Sequence, residues 1–188
     1  MGLFVKSYPK DILQIGTLPQ AYETAERLEP VFRERVRIFA ELLGFPWACR
    51  PNGGIKSLDR IREKAIRGVI PLDMLGGKLI VPAMQIAYQV GDKLEQHFTI
   101  VAFKDRFEIP TPSGYRDLQF IVSMDDLHFA ELKIVHKELD DFDSIEHRIY
   151  EIVRDLHNRL DLTAMEQKVL QHLQKTSQTL YDEIWQGI

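Results

Sequence analysis

From Lys104 to Val122 the chain reads KDRFEIPTPSGYRDLQFIV: a strand, a turn and a second strand, with a tyrosine at the turn. Pro110 and Pro112 fix φ and remove backbone donors, which makes the approach to the turn stiff and extended. Ser113-Gly114 supplies the reversal, because Gly tolerates positive φ. Tyr115 therefore leaves a rigid loop. Such a ring can be a platform on which a base stacks, or a cover for the edge of the core. The loop by itself leaves both readings open.

Two flanking stretches add chemistry. Asp73 follows Pro71-Leu72 and precedes GGKLIV, a short buried-strand pattern. In HFAELKIV, alternation places Phe129, Glu131, Lys133 and Val135 on one face. That face carries a carboxylate and an amine where a purely structural strand would carry apolar residues. Two carboxylates on two strands of one sheet can share a divalent cation, and magnesium is usually held by one or two carboxylates plus substrate phosphates. A metal-holding pair, a stacking tyrosine and several cations are the parts of a nucleotide-handling site. Each residue also has a structural reading. Asp73 can start a turn, Glu131 can pair with Lys133 or Arg116, and Lys56 can be a solvated lysine at a helix start. Arg116 and Lys104 read as surface or phosphate-steering charges. His136 and His147 lack a Cys or a close second His on the same helical face, so they are not read as metal ligands. His147 is expected to cap its helix or pack it against the site.

Four segments in order, GIKSLDRIREK, DMLGGKLIV, PTPSGYRDL and ELKIVHKELDDFDSIEH, resemble the successive motifs of the RelA/SpoT nucleotidyltransferase domain. The small alarmone synthetases are its single-domain form nearest in size. That pattern has a lysine-bearing segment before a helix, then D-x-x-G-x-R, P-x-P-x-G-Y-R and E-x-Q-x-R-T, then a helix ending in E-H. The resemblance covers residues 54 to 154. It implies a pyrophosphokinase that moves the β,γ-pyrophosphate of ATP onto a ribose 3′-hydroxyl. The acceptor is GDP or GTP in the alarmone synthetases and the tRNA 3′ end in a toxin branch. On this resemblance Asp73 is the magnesium-binding aspartate. Glu131 helps bind the metal and activates the acceptor hydroxyl, and Tyr115 stacks on the acceptor base. Lys56 contacts phosphate, and Asp140 lies near the guanine edge. Lys78, Arg116 and Lys133 complete the expected substrate-binding set, and Mg2+ is the implied cofactor.

The chain departs from the pattern on the donor side. Lys78 stands where the family has the arginine of D-x-x-G-x-R, and Gly54 stands two before the phosphate lysine where another arginine is usual. Those two arginines sandwich the adenine of ATP in the small synthetases. Lysine keeps the charge but not the planar surface. Lys133 and Val135 replace the glutamine and arginine of E-x-Q-x-R-T, Gln119 replaces a histidine, and Thr111 replaces the lysine between the prolines. Arg50, Arg60, Arg62, Arg67, Arg106 and Arg116 are candidates to substitute in space. A catalytically degenerate nucleotide-binding regulatory domain is therefore a third reading, beside alarmone synthesis and tRNA modification. No paired histidine-aspartate motif of the family's hydrolase domain is present.

Composition bounds these readings. The 188 residues suffice for one core, read as a single domain over 1–188, with its centre at about 46–158 and terminal helices at 17–45 and 163–186. No apolar run approaches the roughly 20 residues that cross a bilayer, and the start lacks a basic and apolar leader, so a cytoplasmic protein is expected. One cysteine, Cys49, excludes an internal disulfide framework. A net charge of −4 argues against a broad nucleic-acid surface. Between Arg50 and Arg67, however, Lys and Arg outnumber the two acids, Asp59 and Glu63, so a local basic end is expected.

The expected architecture is α/β (α+β): a mixed sheet of about five strands flanked by helices, with the site on one sheet face. Thr17 caps a helix to Phe45 that Pro30 divides or kinks. Trp47 to Arg50 forms a short strand before a Gly53-Gly54 turn, and Ser57 or Asp59 opens a helix to Arg67. A strand from Lys78 to Val81 follows Gly76-Gly77, and a helix runs from about Met84 to His97. Strands follow over 98–107, 116–124 and 128–135, the last two joined at Asp125-Asp126. Helix is expected from Asp143, with a break near 161–163 and a Thr163/Glu166 capping box. Met165, Val169, Leu170, Leu173, Leu180, Ile184 and Trp185 form an amphipathic stripe that packs on the same domain or joins a homo-oligomer.

Overall fold

The computed structural model describes residues 16–50, 54–65, 70–124 and 128–188, and within these the side chains of all but 63–65. Gly53, Arg67 and the Asp125-Asp126 turn lie outside the described residues. Helix α1 spans Leu18–Leu43. The Gln20 carboxamide oxygen accepts from both the backbone N–H and the hydroxyl of Thr17 at 2.9 Å, which closes the first turn. Gly44 ends the helix at φ 74°. Pro30 does not divide it. The proline sits on the exposed side, while Ala21, Ala25, Leu28, Phe32, Val36 and Phe39 form one buried line through both halves. A proline inside a helix costs about 3 kcal/mol, and burying each large apolar side chain of that line returns about 1.5–3 kcal/mol.

The sheet has five strands in the order β1-β2-β5-β4-β3. They are β1 (Trp47–Cys49), β2 (Leu75–Val81), β3 (Thr99–Asp105), β4 (Leu118–Ser123) and β5 (Phe129–His136). The central pair β2/β5 is parallel and the others are antiparallel, so the sheet is mixed as expected. β2 starts earlier than its sequence suggests, because Gly76 and Gly77 lie within the strand and not in a turn. Helix α2 covers Leu58–Ala65 and α3 covers Met84–Leu94.

The sheet faces differ. Gly77 of β2 approaches Leu132 and Phe32, and Gly91 of α3 approaches Phe120, Leu118 and Ile134, so α1 and α3 pack on the apolar face. On the other face, cross-strand register sets Ala48, Lys78, Lys133, Gln119 and Lys104 in one row across all five strands.

Two helices complete the chain, α4 (Lys137–His157) and α5 (Ala164–Gly187). α4 begins well before the expected Asp143. His136 caps it, its Nδ1 accepting from the Glu138 N–H at 3.3 Å, with Glu138 and Asp140 acidic in the first turn. The Thr163/Glu166 capping box opens α5. The Ser177 hydroxyl donates to Glu146, and the Tyr181 hydroxyl donates to Asp143 at 3.1 Å, which ties α5 to α4. The expected stripe on α5 is only partly covered. Leu170 is buried, but Met165 is 70% exposed, because the buried line runs from Leu170 through Ser177 to Tyr181, which the stripe did not include. None of the described helices is long and apolar enough to cross a membrane.

Candidate active site

Parallel pairing of β2 with β5 sets Gly76 opposite Glu131 and brings Asp73, just before β2, to the same end of the polar face. Arg50, just beyond β1, reaches across β2 between them. Its Nη2 lies 3.0 Å from Glu131 Oε1 and 3.7 Å from Asp73 Oδ2. The crossing depends on Gly76, where a Cβ would sit 2.3 Å from Arg50 Nε. Lys56 Nζ donates to Asp73, and Gln119 Nε2 donates to the second oxygen of Glu131. Lys133 Nζ lies 3.8 Å from Glu131 Oε1. Burial works to raise the Glu131 carboxyl, but Lys133 and then Arg50 outweigh it, so it titrates below the usual glutamate range and is ionised at neutral pH.

The tyrosine loop borders this cluster. Gly114 turns at φ 85°. Thr111 closes the loop: its hydroxyl accepts from the Tyr115 N–H at 3.0 Å, and its own N–H donates to the Tyr115 carbonyl at 3.1 Å. The Lys133 ammonium lies 5.1 Å from the centre of the Tyr115 ring, and Tyr181 of α5 meets that ring edge-on at 5.9 Å. Asp117 is wholly buried beside it, 3.0 Å from Arg106 and 3.7 Å from Lys133. Arg106 also donates to the Gln119 carboxamide at 2.8 Å. Burial raises the Asp117 carboxyl, against the pull of Lys133 and Arg106. Burial, followed by Asp117 as neighbouring charge and hydrogen-bond acceptor, lifts the Tyr115 hydroxyl well above its ordinary value.

Asp73, Glu131, Lys56, Lys133 and Tyr115 thus lie in one cluster. Lys78 stands beside Lys133 in the cross-strand row and donates to Asp140 in the first turn of α4. Arg116 is not part of the cluster. It is 9% exposed, donates to the Phe107 carbonyl and to Asp182 of α5 at 3.0 Å each, and lies over the Trp185 ring. That placement anchors the loop to α5. It also leaves Glu131 paired with Lys133 and Arg50. His147 does not pack against the site either; it is exposed on α4 beside Tyr150 and Glu151.

Of the arginines able to substitute in space, Arg50 and Arg106 join the cluster. Arg60 lies 3.8 Å from Glu151, and Arg62 lies 3.8 Å from Asp59. Asp117 and the relay from Arg106 through Gln119 to Glu131 escaped the sequence reading. An aspartate opening an apolar strand, LQFIV, was the available signal. Among the described residues no group of three or more His, Cys, Asp or Glu could hold a metal ion. A pair of carboxylates is nevertheless the donor set magnesium uses when phosphates fill its remaining positions.

No family model matches the chain. In sequence it is similar to GTP pyrophosphokinase YwaC of Bacillus subtilis, 33% identical over 87 residues, which are 42% of this chain and 41% of that protein. The match therefore spans about two fifths of the relative's length. In structure it is similar to small alarmone synthetase 2 of Bacillus subtilis, with a TM-score of 0.53 at 23% identity over 88% of this chain and 92% of that one. It is also similar to small alarmone synthetase 1 of the same organism bound to its product pppGpp, with a TM-score of 0.52 at 19% identity over 88% and 91%. The chain has the fold of the small alarmone synthetases, the group its four motifs resemble.

Proposed function

We propose that this chain is a pyrophosphokinase that transfers the β,γ-pyrophosphate of ATP to the 3′-hydroxyl of GDP or GTP. The observation that carries this reading is the meeting of Asp73 and Glu131 on one guanidinium nitrogen of Arg50, beside Tyr115 on the cation-rich face of the sheet. The alarmone-synthetase fold and the partial likeness to YwaC support it.

Arg50 and Lys56 neutralise the two carboxylates. Phosphates compete for those cations, so a bound donor would draw them away, and Asp73 and Glu131 would then be the residues to hold Mg2+. Magnesium there would neutralise charge developing on the transferred group. Glu131, ionised at neutral pH, accepts the proton of the acceptor hydroxyl. Lys56, Lys78 and Lys133 attract phosphate, Tyr115 stacks on the acceptor base, and Asp140 accepts from the guanine edge. With Gly54 and Lys78 in place of two stacking arginines, ATP is held chiefly through its phosphates. The exposed Ile145, Ile152 and Met165 on α4 and α5 favour self-association through the terminal helices.

The test is incubation of the purified protein with γ-labelled ATP and magnesium, offered GDP, GTP or deacylated tRNA. Label in GDP or GTP is the expected result. Label in tRNA overturns the nucleotide acceptor in favour of a toxin-like enzyme. Nucleotide binding without any transfer overturns catalysis and leaves a sensor.

A further inference from the structure

Asp117 is the one wholly buried carboxylate of the described residues, and it accepts from the Tyr115 hydroxyl. It sits behind both ends of the cluster. Lys133 lies between two carboxylates, 3.7 Å from Asp117 and 3.8 Å from Glu131, with its ammonium over the Tyr115 ring. Arg106 is held 3.0 Å from Asp117 and passes the constraint on through the Gln119 carboxamide to the far oxygen of Glu131. The Asp117 backbone carbonyl also accepts from the Arg106 N–H at 2.8 Å, which fixes the base of the loop.

A buried ion pair adds little stability compared with apolar packing. A carboxylate at the head of an apolar strand therefore calls for another role. We infer that Asp117 is a positioning residue for the acceptor nucleotide, holding the Tyr115 ring and the Glu131 carboxylate in fixed relation through Lys133 and Arg106. The inference rests on the pyrophosphokinase reading. Without the charge at position 117, Lys133 leans wholly toward Glu131 and leaves the ring, and the Gln119 amide loses its fixed donor. Lys56 and Asp73, on the donor side, are held by their own ion pair and are expected to keep their geometry.

The experiment is steady-state transfer by the wild type, Asp117→Asn and Tyr115→Phe, varying GDP and ATP separately. Asp117→Asn is expected to raise the KM for GDP about tenfold, the equivalent of one charge-assisted hydrogen bond, with the KM for ATP unchanged. Tyr115→Phe keeps the stacking ring and removes only the hydroxyl that faces Asp117, so it remains readable if Asp117→Asn fails to fold. It is expected to raise the KM for GDP alone, by about threefold. An unchanged KM for GDP in either folded variant, or equal rises for both substrates, overturns the positioning role while wild-type transfer leaves the function standing. A wild type that neither transfers nor binds GDP overturns the function and this inference together.

Discussion

On one face of the sheet Leu79, Leu132 and Phe120 are buried completely beneath α1 and α3. On the other, Lys78, Lys133 and Gln119, each one position along the same strands, carry charge or an amide. The apolar face is non-directional: several side chains of similar volume would fill it, and its cost appears when a side chain is removed. The polar face is directional. Its parts come from the start of β2, from Arg50 beyond β1, from β4 and β5 and from the tyrosine loop, and they neutralise one another. Stability therefore resides mainly on the first face, and the proposed chemistry uses the second.

The sharpest separation comes from hollowing the apolar face. Phe32→Ala is expected to cost about 4 kcal/mol of stability, read by denaturant unfolding, with transfer per folded molecule unchanged. Glu131→Gln is the mirror experiment. It should lower kcat about a thousandfold, within the range of a positioned general base, while the melting temperature moves by only a few degrees. A large loss of stability here would mean that the two faces are not separable.

Gly76→Ala joins both faces. Its Cβ would meet Arg50 Nε at 2.3 Å, so the guanidinium must leave Asp73 and Glu131. The expected cost is about 2 kcal/mol in stability together with about a tenfold loss in kcat/KM.

The smallest effect belongs to a residue on neither face. A backbone hydrogen bond from Thr163, then the Thr163 hydroxyl and Arg159, hold the Glu166 carboxyl at about 2, below the ordinary 4.5. Its stabilisation is therefore complete above pH 4.5 and fades as the pH falls toward 2. The melting-temperature difference between wild type and Glu166→Gln should shrink over that window, with transfer at neutral pH unaltered.

The sequence made the local devices legible. The proline-stiffened turn before Tyr115, the alternation that puts Glu131 and Lys133 on one face, and the Thr163/Glu166 box all depend on residues close along the chain. The approach of Asp73 to Glu131 was legible only through motif order. Arg50 was harder to place, because its crossing depends on a missing side chain at Gly76, in another strand. Asp117 falls inside the expected strand over 116–124, and nothing along the chain marks the burial that the fold gives it. The packing of Arg116, inside the most recognisable motif, was not legible because its partners Asp182 and Trp185 lie on α5, far away in sequence. The start of α4 was placed too late because its cap is a histidine, outside the Ser, Thr, Asp and Asn that usually mark a helix N-terminus.

The parallel pairing at the centre of the sheet also orders events during synthesis. Strand β2 emerges from the ribosome well before β5, with α3 and two other strands between them. Asp73 thus waits without its acidic counterpart until Phe129–His136 has been made and has inserted between β2 and β4. On the proposed reading, a chain cut short before that point holds one acidic partner of the pair and is expected to transfer nothing.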